Sequence, residues 1–99
     1  MALTVLITRD VEDRYRGFLS SAMLEVAPGV YASPNLSARA RDQIWDVLSR
    51  WYAQLGRGSI TLVHPDRQAD GGMVVLSLGS PPRKPIRLDG VLLTMRVNT

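Results

Sequence analysis

The sequence predicts a small α+β domain in which two helices lie on one face of a mainly antiparallel sheet. Three observations predict it. The run Leu3-Thr-Val-Leu-Ile-Thr8 is apolar at nearly every position, as a central strand covered on both faces should be. Two longer stretches repeat their apolar residues every three or four positions, the period of a helix with one buried face. The remainder breaks into short β-branched segments separated by Gly and Pro, the pattern of strands joined by turns.

Taken in order, the first strand spans Leu3–Thr8 and ends abruptly in the acid-rich turn from Asp10 to Asp13. Acids there suit the positive end of a helix dipole, and Asp13 can cap it. The first helix is expected from about Arg14 to Val26, burying Tyr15, Phe18, Leu19, Ala22, Met23 and Val26. Pro28-Gly29 breaks it, Val30-Tyr31-Ala32 is a short strand, and Ser33-Pro-Asn is a turn. A second helix begins at Ser37, a good N-cap, and stops at Gly56, a good terminator. Its stripe is Ile44, Trp45, Leu48, Trp51, Tyr52 and Leu55, with Arg39, Arg41, Asp42, Asp46 and Arg50 on the other face.

Ser59–His64 and Met73–Leu78 read as a hairpin around a polar loop that holds Asp66 and Asp70 as turn residues. Ser80–Arg87 reads as a basic connector stiffened by proline. Asp89-Gly90 is a turn before a last strand, Val91–Val97. The expected order is β-α-β-α-β-β-β. Two helices over one face of such a sheet is the ferredoxin-like arrangement, with the C-terminal strand 91–97 an appendage suited to docking a partner.

Ninety-nine residues, 1–99, make one domain. A chain this short buries only roughly 60–65% of its unfolded surface, so a second copy is expected to cover an exposed sheet face. No cysteine is present, which excludes disulfides, thiolate metal sites and Cys nucleophiles, and the lone His64 excludes a multi-histidine zinc site within one chain. No apolar run approaches the roughly 20 residues of a membrane span. The N-terminus lacks the charged-then-apolar pattern of a signal peptide. A cytoplasmic protein is expected. Of twelve basic residues eleven are Arg, and the net charge is +3. Arginine makes planar, bidentate contacts to phosphate that lysine does not, so a polyanionic partner fits this balance.

Three constellations could carry chemistry. Arg9, Asp10, Arg14 and Arg16 gather where the first strand meets the first helix, whose N-terminal N–H groups and two arginines would suit a phosphate. Residues two apart on a regular helix point to nearly opposite sides, so Arg14 and Arg16 either sit on an irregular first turn or reach different phosphates. Local pairing with Glu12 and Asp13 on a solvated face is the plain alternative. Gly17 is costly inside a helix and marks either a close backbone approach or a tolerated flaw. The second constellation is Arg83, Lys84 and Arg87, three cations on the Pro-stiffened connector, which loses little entropy on docking to a phosphate backbone. The third is Asp10, which could hold Mg²⁺ together with its twin across a dimer axis, although a cap or turn role and the adjoining Arg9 argue against a cation. His64 has no nucleophile motif near it. Trp45 and Trp51 read as core, and Gly56-Arg-Gly58 as a turn.

These residues together resemble the Cas-two family of CRISPR-associated proteins, in its type I-E form. The likeness rests on the strand ending in Thr8, Arg14-x-Arg16-Gly17, Leu24-Glu-Val, Pro28-Gly-Val-Tyr31, Ser37 leading to Ile44-Trp45, and Arg83-x-Pro85-x-x-Leu-Asp-Gly90. It implies a ferredoxin-like homodimer that bridges two dimers of the Cas-one integrase. That assembly captures short foreign double-stranded DNA and inserts it as a new spacer. By that likeness Arg14 and Arg16 clamp the duplex backbone, Arg83 and Lys84 add to the clamp, and the last strand and tail dock on the integrase. One position departs. The family places an acid directly after the first strand, linked in some members to metal-dependent nuclease activity, whereas this chain reads Arg9-Asp10. Neighbouring residues of an extended chain alternate faces, so Asp10 points elsewhere than that acid. A non-catalytic DNA-bridging subunit is therefore expected. The alternatives are a Mg²⁺-dependent endonuclease of RNA or DNA using Asp10, and a small-molecule regulatory domain, since this fold does not fix function.

Overall fold

The computed structural model describes residues 3–81 and 83–96. Five strands form one antiparallel sheet: β1 (Thr4–Arg9), β2 (Leu24–Ala27), β3 (Val30–Ser33), β4 (Ser59–Pro65) and β5 (Met73–Leu78), in spatial order β2-β3-β1-β4-β5. Helices α1 (Asp13–Ala22) and α2 (Ala38–Leu55) supply the second layer. The first six elements run β-α-β-β-α-β with β1 and β3 central, which is the ferredoxin-like arrangement. β5 extends the β4 edge through a hairpin, as expected, and β6 (Arg83–Leu88) pairs with β7 (Val91–Arg96) in a separate two-stranded sheet.

The core lies between the helices and one sheet face. Leu6, Tyr31, Ile60 and Leu62 from the strands meet Tyr15 and Leu19 of α1 and Ile44 and Leu48 of α2. Each such side chain contributes about 1.5–3 kcal/mol on burial. Both helix boundaries of α2 follow the chemistry of the sequence. Ser37 accepts a hydrogen bond from the Ala40 N–H at 3.1 Å, and Gly56 takes a left-handed conformation that closes the last turn.

Two expectations need correction. The first helix stops at Ala22 rather than Val26, and residues 24–27 form β2. Met23 and Val26 fit the helical period, yet the Pro28-Gly29 turn folds the segment back on β3. Glu25 then lies opposite Tyr31 and Leu24 opposite Ala32, so pairing outweighs local propensity. The connector Ser80–Arg87 is largely strand: residues 83–88 form β6, with Pro85 in a two-stranded sheet where a missing N–H is tolerated. The last strand therefore pairs within its own chain. Val97, its expected final residue, and Pro82 lie outside the described residues.

The reading of β1 as covered on both faces also changes. The helices cover the side of Leu6. Val5, Ile7 and Arg9 project from the other side, together with Leu24, Val26, Thr61 and Val63, and among the described residues no element covers Ile7, Leu24 or Val26, which stay 39–64% exposed. Among the described residues, no helix is long and apolar enough to cross a membrane.

Candidate nucleic-acid interface

The carboxyl end of β1 collects charge from three elements. Asp10 leaves the strand with φ +56°, a left-handed turn that short polar side chains tolerate, and α1 starts three residues on. From the α2–β4 loop, Arg57 bridges back: its guanidinium donates to Asp10 at 3.1 Å and to Glu12 at 3.2 Å. The hydrogen bond to Asp10 raises the Arg57 pKa first, and its charge and Glu12 add to the effect. Arg57 thus pins the loop that precedes α1. The turn reading of Gly56-Arg57-Gly58 missed this role, because its partners lie about 45 residues away in the chain.

Helix α1 is regular throughout, so Arg14 and Arg16 diverge and reach different supports. The Arg14 guanidinium lies 4.7 Å from the centroid of the Trp51 ring on α2. Trp51 in turn meets Tyr15 and Phe18 edge-on, at 5.5 and 5.4 Å between centroids. It is therefore both core, as its place on the helical stripe indicated, and a shelf for a cation. Arg16 is 70% exposed and stands 3.7 Å from Glu25 of β2, in a polar depression that Asp10, Glu12 and Asp13 also line. Glu12, the residue before α1, makes no side-chain cap, and the carboxylates crowding this helix start repel an anion. The cationic features of this region are the guanidinium groups rather than the helix N-terminus. Gly17 has nothing within 4 Å of where a Cβ would stand, so no close approach within the chain explains it.

Arg83, Lys84 and Arg87 all lie on β6, where alternation places Arg83 and Arg87 on one face and Lys84 on the other. Lys84 approaches Asp70 at 3.9 Å, while Asp66 accepts from the Gln68 N–H at 2.9 Å as a turn residue does. His64 is buried, with Nδ1 3.1 Å from Arg41 and 3.0 Å from the Pro65 carbonyl. The structure gathers Arg14 and Arg16 at one end of the sheet with Asp10, and keeps Lys84 and Arg87 on the hairpin.

The Mg²⁺ that the Asp10 reading implies does not fit the residues of one chain. Among the described residues, no three His, Cys, Asp or Glu side chains converge to hold a metal ion. The Asp10 carboxylate is already engaged by a fixed cation, Arg57, that would repel another.

The family described as CRISPR-associated protein (Cas_Cas2CT1978) matches residues 3–93, nearly the whole chain.

Proposed function

The chain belongs to that Cas2-type family of CRISPR-associated proteins, and from this premise we propose that it is a non-catalytic, DNA-bridging subunit of the CRISPR adaptation complex. In this reading two copies pair through their open sheet faces. Together they clamp the phosphate backbone of a short foreign duplex for insertion by the Cas-one integrase. The observation that carries it is the pair Arg14 and Arg16, exposed and splayed from a regular helix onto separate supports. Splayed cations suit successive phosphates of a duplex, and contacts of that kind position DNA without reading its bases.

The open sheet face supports the dimer. Its apolar residues Leu3, Leu24 and Val26 are each more than half exposed, and they adjoin Ile7 and Val5 of the central strand. A contiguous apolar patch on so small a domain marks an interaction surface. The exposed apolar residues of β7, Val91, Leu92, Leu93 and Met95, suit the integrase contact.

The test is spacer integration in vitro with the cognate integrase, comparing wild type, Asp10→Ala and the Arg14→Ala/Arg16→Ala double variant. Normal integration by Asp10→Ala, with loss in the arginine variant, is the expected result. Duplex binding should weaken steeply with salt and show little base preference, because each neutralised phosphate releases counterions. Loss in Asp10→Ala with folding and assembly intact would overturn the non-catalytic reading.

A further inference from the structure

Beside the open sheet face, at the carboxyl end of β1, lies a polar depression of about 300 Å³ away from Arg14 and Arg16. Arg9 and Arg83 line it with the hydroxyl residues Ser59, Thr61 and Ser80 and the apolar Ile7 and Pro81. Arg9 and Ser59 face each other as cross-strand partners of β1 and β4. No carboxylate lines the depression. Among the described residues neither Arg9 nor Arg83 has an ion-pair partner, whereas Arg16, Arg41, Arg50 and Lys84 have one each and Arg57 has two. Asp10, the nearest acid in sequence, is turned away by its left-handed backbone and held by Arg57. Two guanidinium groups that share a concavity without an acid repel each other, and an anion between them relieves that repulsion.

The backbone under this depression is tightly packed. A Cβ on Gly58 would collide with the carbonyl oxygens of Arg9 and Asp10, and one on Gly79 would collide with the Gly58 carbonyl and the Tyr52 hydroxyl. Tyr52 also donates to the Gly58 carbonyl at 2.9 Å. The ends of β1, β4 and β5 therefore lie close together, with only the Tyr52 hydroxyl reaching in among their backbones. This fixes the carboxyl ends of β1 and β5 relative to each other, so less freedom is lost when a ligand binds beside them.

We propose that Arg9, Arg83 and the hydroxyls of Ser59, Thr61 and Ser80 form a second phosphate-group site, whose ligand is a backbone phosphate of the duplex. The choice of DNA phosphate rests on the function proposed above; the preference for a phosphate oxyanion does not. Two arginines supply charge and bidentate geometry, and the hydroxyls donate to the remaining oxygens. The depression lies at the polar end of the open face, the place that an apolar dimer contact leaves as its rim.

The test has two arms. Duplex binding by fluorescence anisotropy over a salt series compares wild type, Arg9→Gln, and Arg14→Ala/Arg16→Ala. Amide shifts of Ser59, Thr61 and Ser80 are followed during titration with inorganic phosphate, in wild type and Arg9→Gln. Arg9→Gln should weaken duplex binding by at least roughly fivefold to tenfold at low salt and reduce the salt slope by about 0.9 for each copy on the duplex. Its amides should lose the shifts that phosphate causes in wild type. Unchanged duplex affinity and slope in Arg9→Gln would overturn the DNA assignment while leaving the Arg14/Arg16 clamp standing if its own variant loses binding. If phosphate still shifted the wild-type amides in that case, the ligand would be a free phosphate-bearing molecule. If wild type bound no duplex, the clamp reading would fall and the phosphate titration would still decide this site. Absence of phosphate shifts in wild type together with an unaffected salt slope in Arg9→Gln would overturn the site altogether.

Discussion

Replacing Trp51 by Leu tests whether this residue is merely core or also aims Arg14. Leucine keeps an apolar side chain beside α1 but removes both edge-to-face contacts, with Tyr15 at 5.5 Å and Phe18 at 5.4 Å, and the cation–π contact with Arg14 at 4.7 Å. Each aromatic pair is worth about 0.5–1.5 kcal/mol beyond area, and an exposed cation–π contact about 0.5–1 kcal/mol. The expected loss is about 1.5–4 kcal/mol of unfolding free energy, a large share of the 5–15 kcal/mol typical of a domain. Urea denaturation of wild type, Trp51→Leu, Arg14→Ala and the double variant closes a cycle that isolates the cation–π part. Its coupling should be about 0.5–1 kcal/mol. In duplex binding, Trp51→Leu keeps the charge of Arg14 and should lower affinity without changing the salt slope. Arg14→Ala should reduce that slope by about 0.9 for each copy on the duplex. A coupling below about 0.3 kcal/mol, the usual limit of additivity, would refute the shelf and leave Trp51 as packing alone.

Three further outcomes follow from the packing. Gly79→Ala places a Cβ against the Gly58 carbonyl and the Tyr52 hydroxyl at φ +81°, and should cost about 1–3 kcal/mol in thermal or urea unfolding; a neutral effect would show that the three strand ends do not lie so close together. Ser37→Ala removes the cap on the Ala40 N–H and should cost about 0.5–2 kcal/mol, with Ser37→Gly milder; equal losses would point away from capping. Burial, and then the neighbouring Tyr52, raises the Tyr15 phenol above its usual 10.0; burial, and then Glu25, does the same for Tyr31. A raised folded-state value means that this stability is complete below about pH 10 and is lost as pH rises through the folded values. The Tyr15 hydroxyl is buried with no hydrogen-bond partner among the described residues, so Tyr15→Phe should be neutral or stabilising at neutral pH and should lessen the alkaline loss. An alkaline profile unchanged by Tyr15→Phe would refute that account.

Much of this architecture is legible in the sequence because its signals are local. The period of apolar residues places Tyr15, Leu19, Ile44 and Leu48 on buried helical stripes, and Ser37 and Gly56 mark the ends of α2 through their own chemistry. Cation-rich positions such as Arg14, Arg16 and Arg83 stand out by residue type, and so does the absence of cysteine. Leu24–Ala27 misleads for a physical reason. Met23 and Val26 satisfy a helical period, and only a neighbouring strand, β3, settles the matter by offering backbone hydrogen bonds.

Tertiary structure alone decides which cations find partners and which faces stay bare. Arg57 reaches Asp10 and Glu12 across the fold, so a residue in an unremarkable turn neutralises the acid that sequence singled out. Trp51 meets Arg14 because α1 packs on α2, and Arg9 and Arg83, far apart in the chain, come to line one depression. The two-sided apolar pattern of β1 led to the expectation of two covers, and the described residues supply one. Sequence period records how apolar a face must be, whereas what lies across it depends on contacts between residues far apart in the chain, which no local pattern encodes.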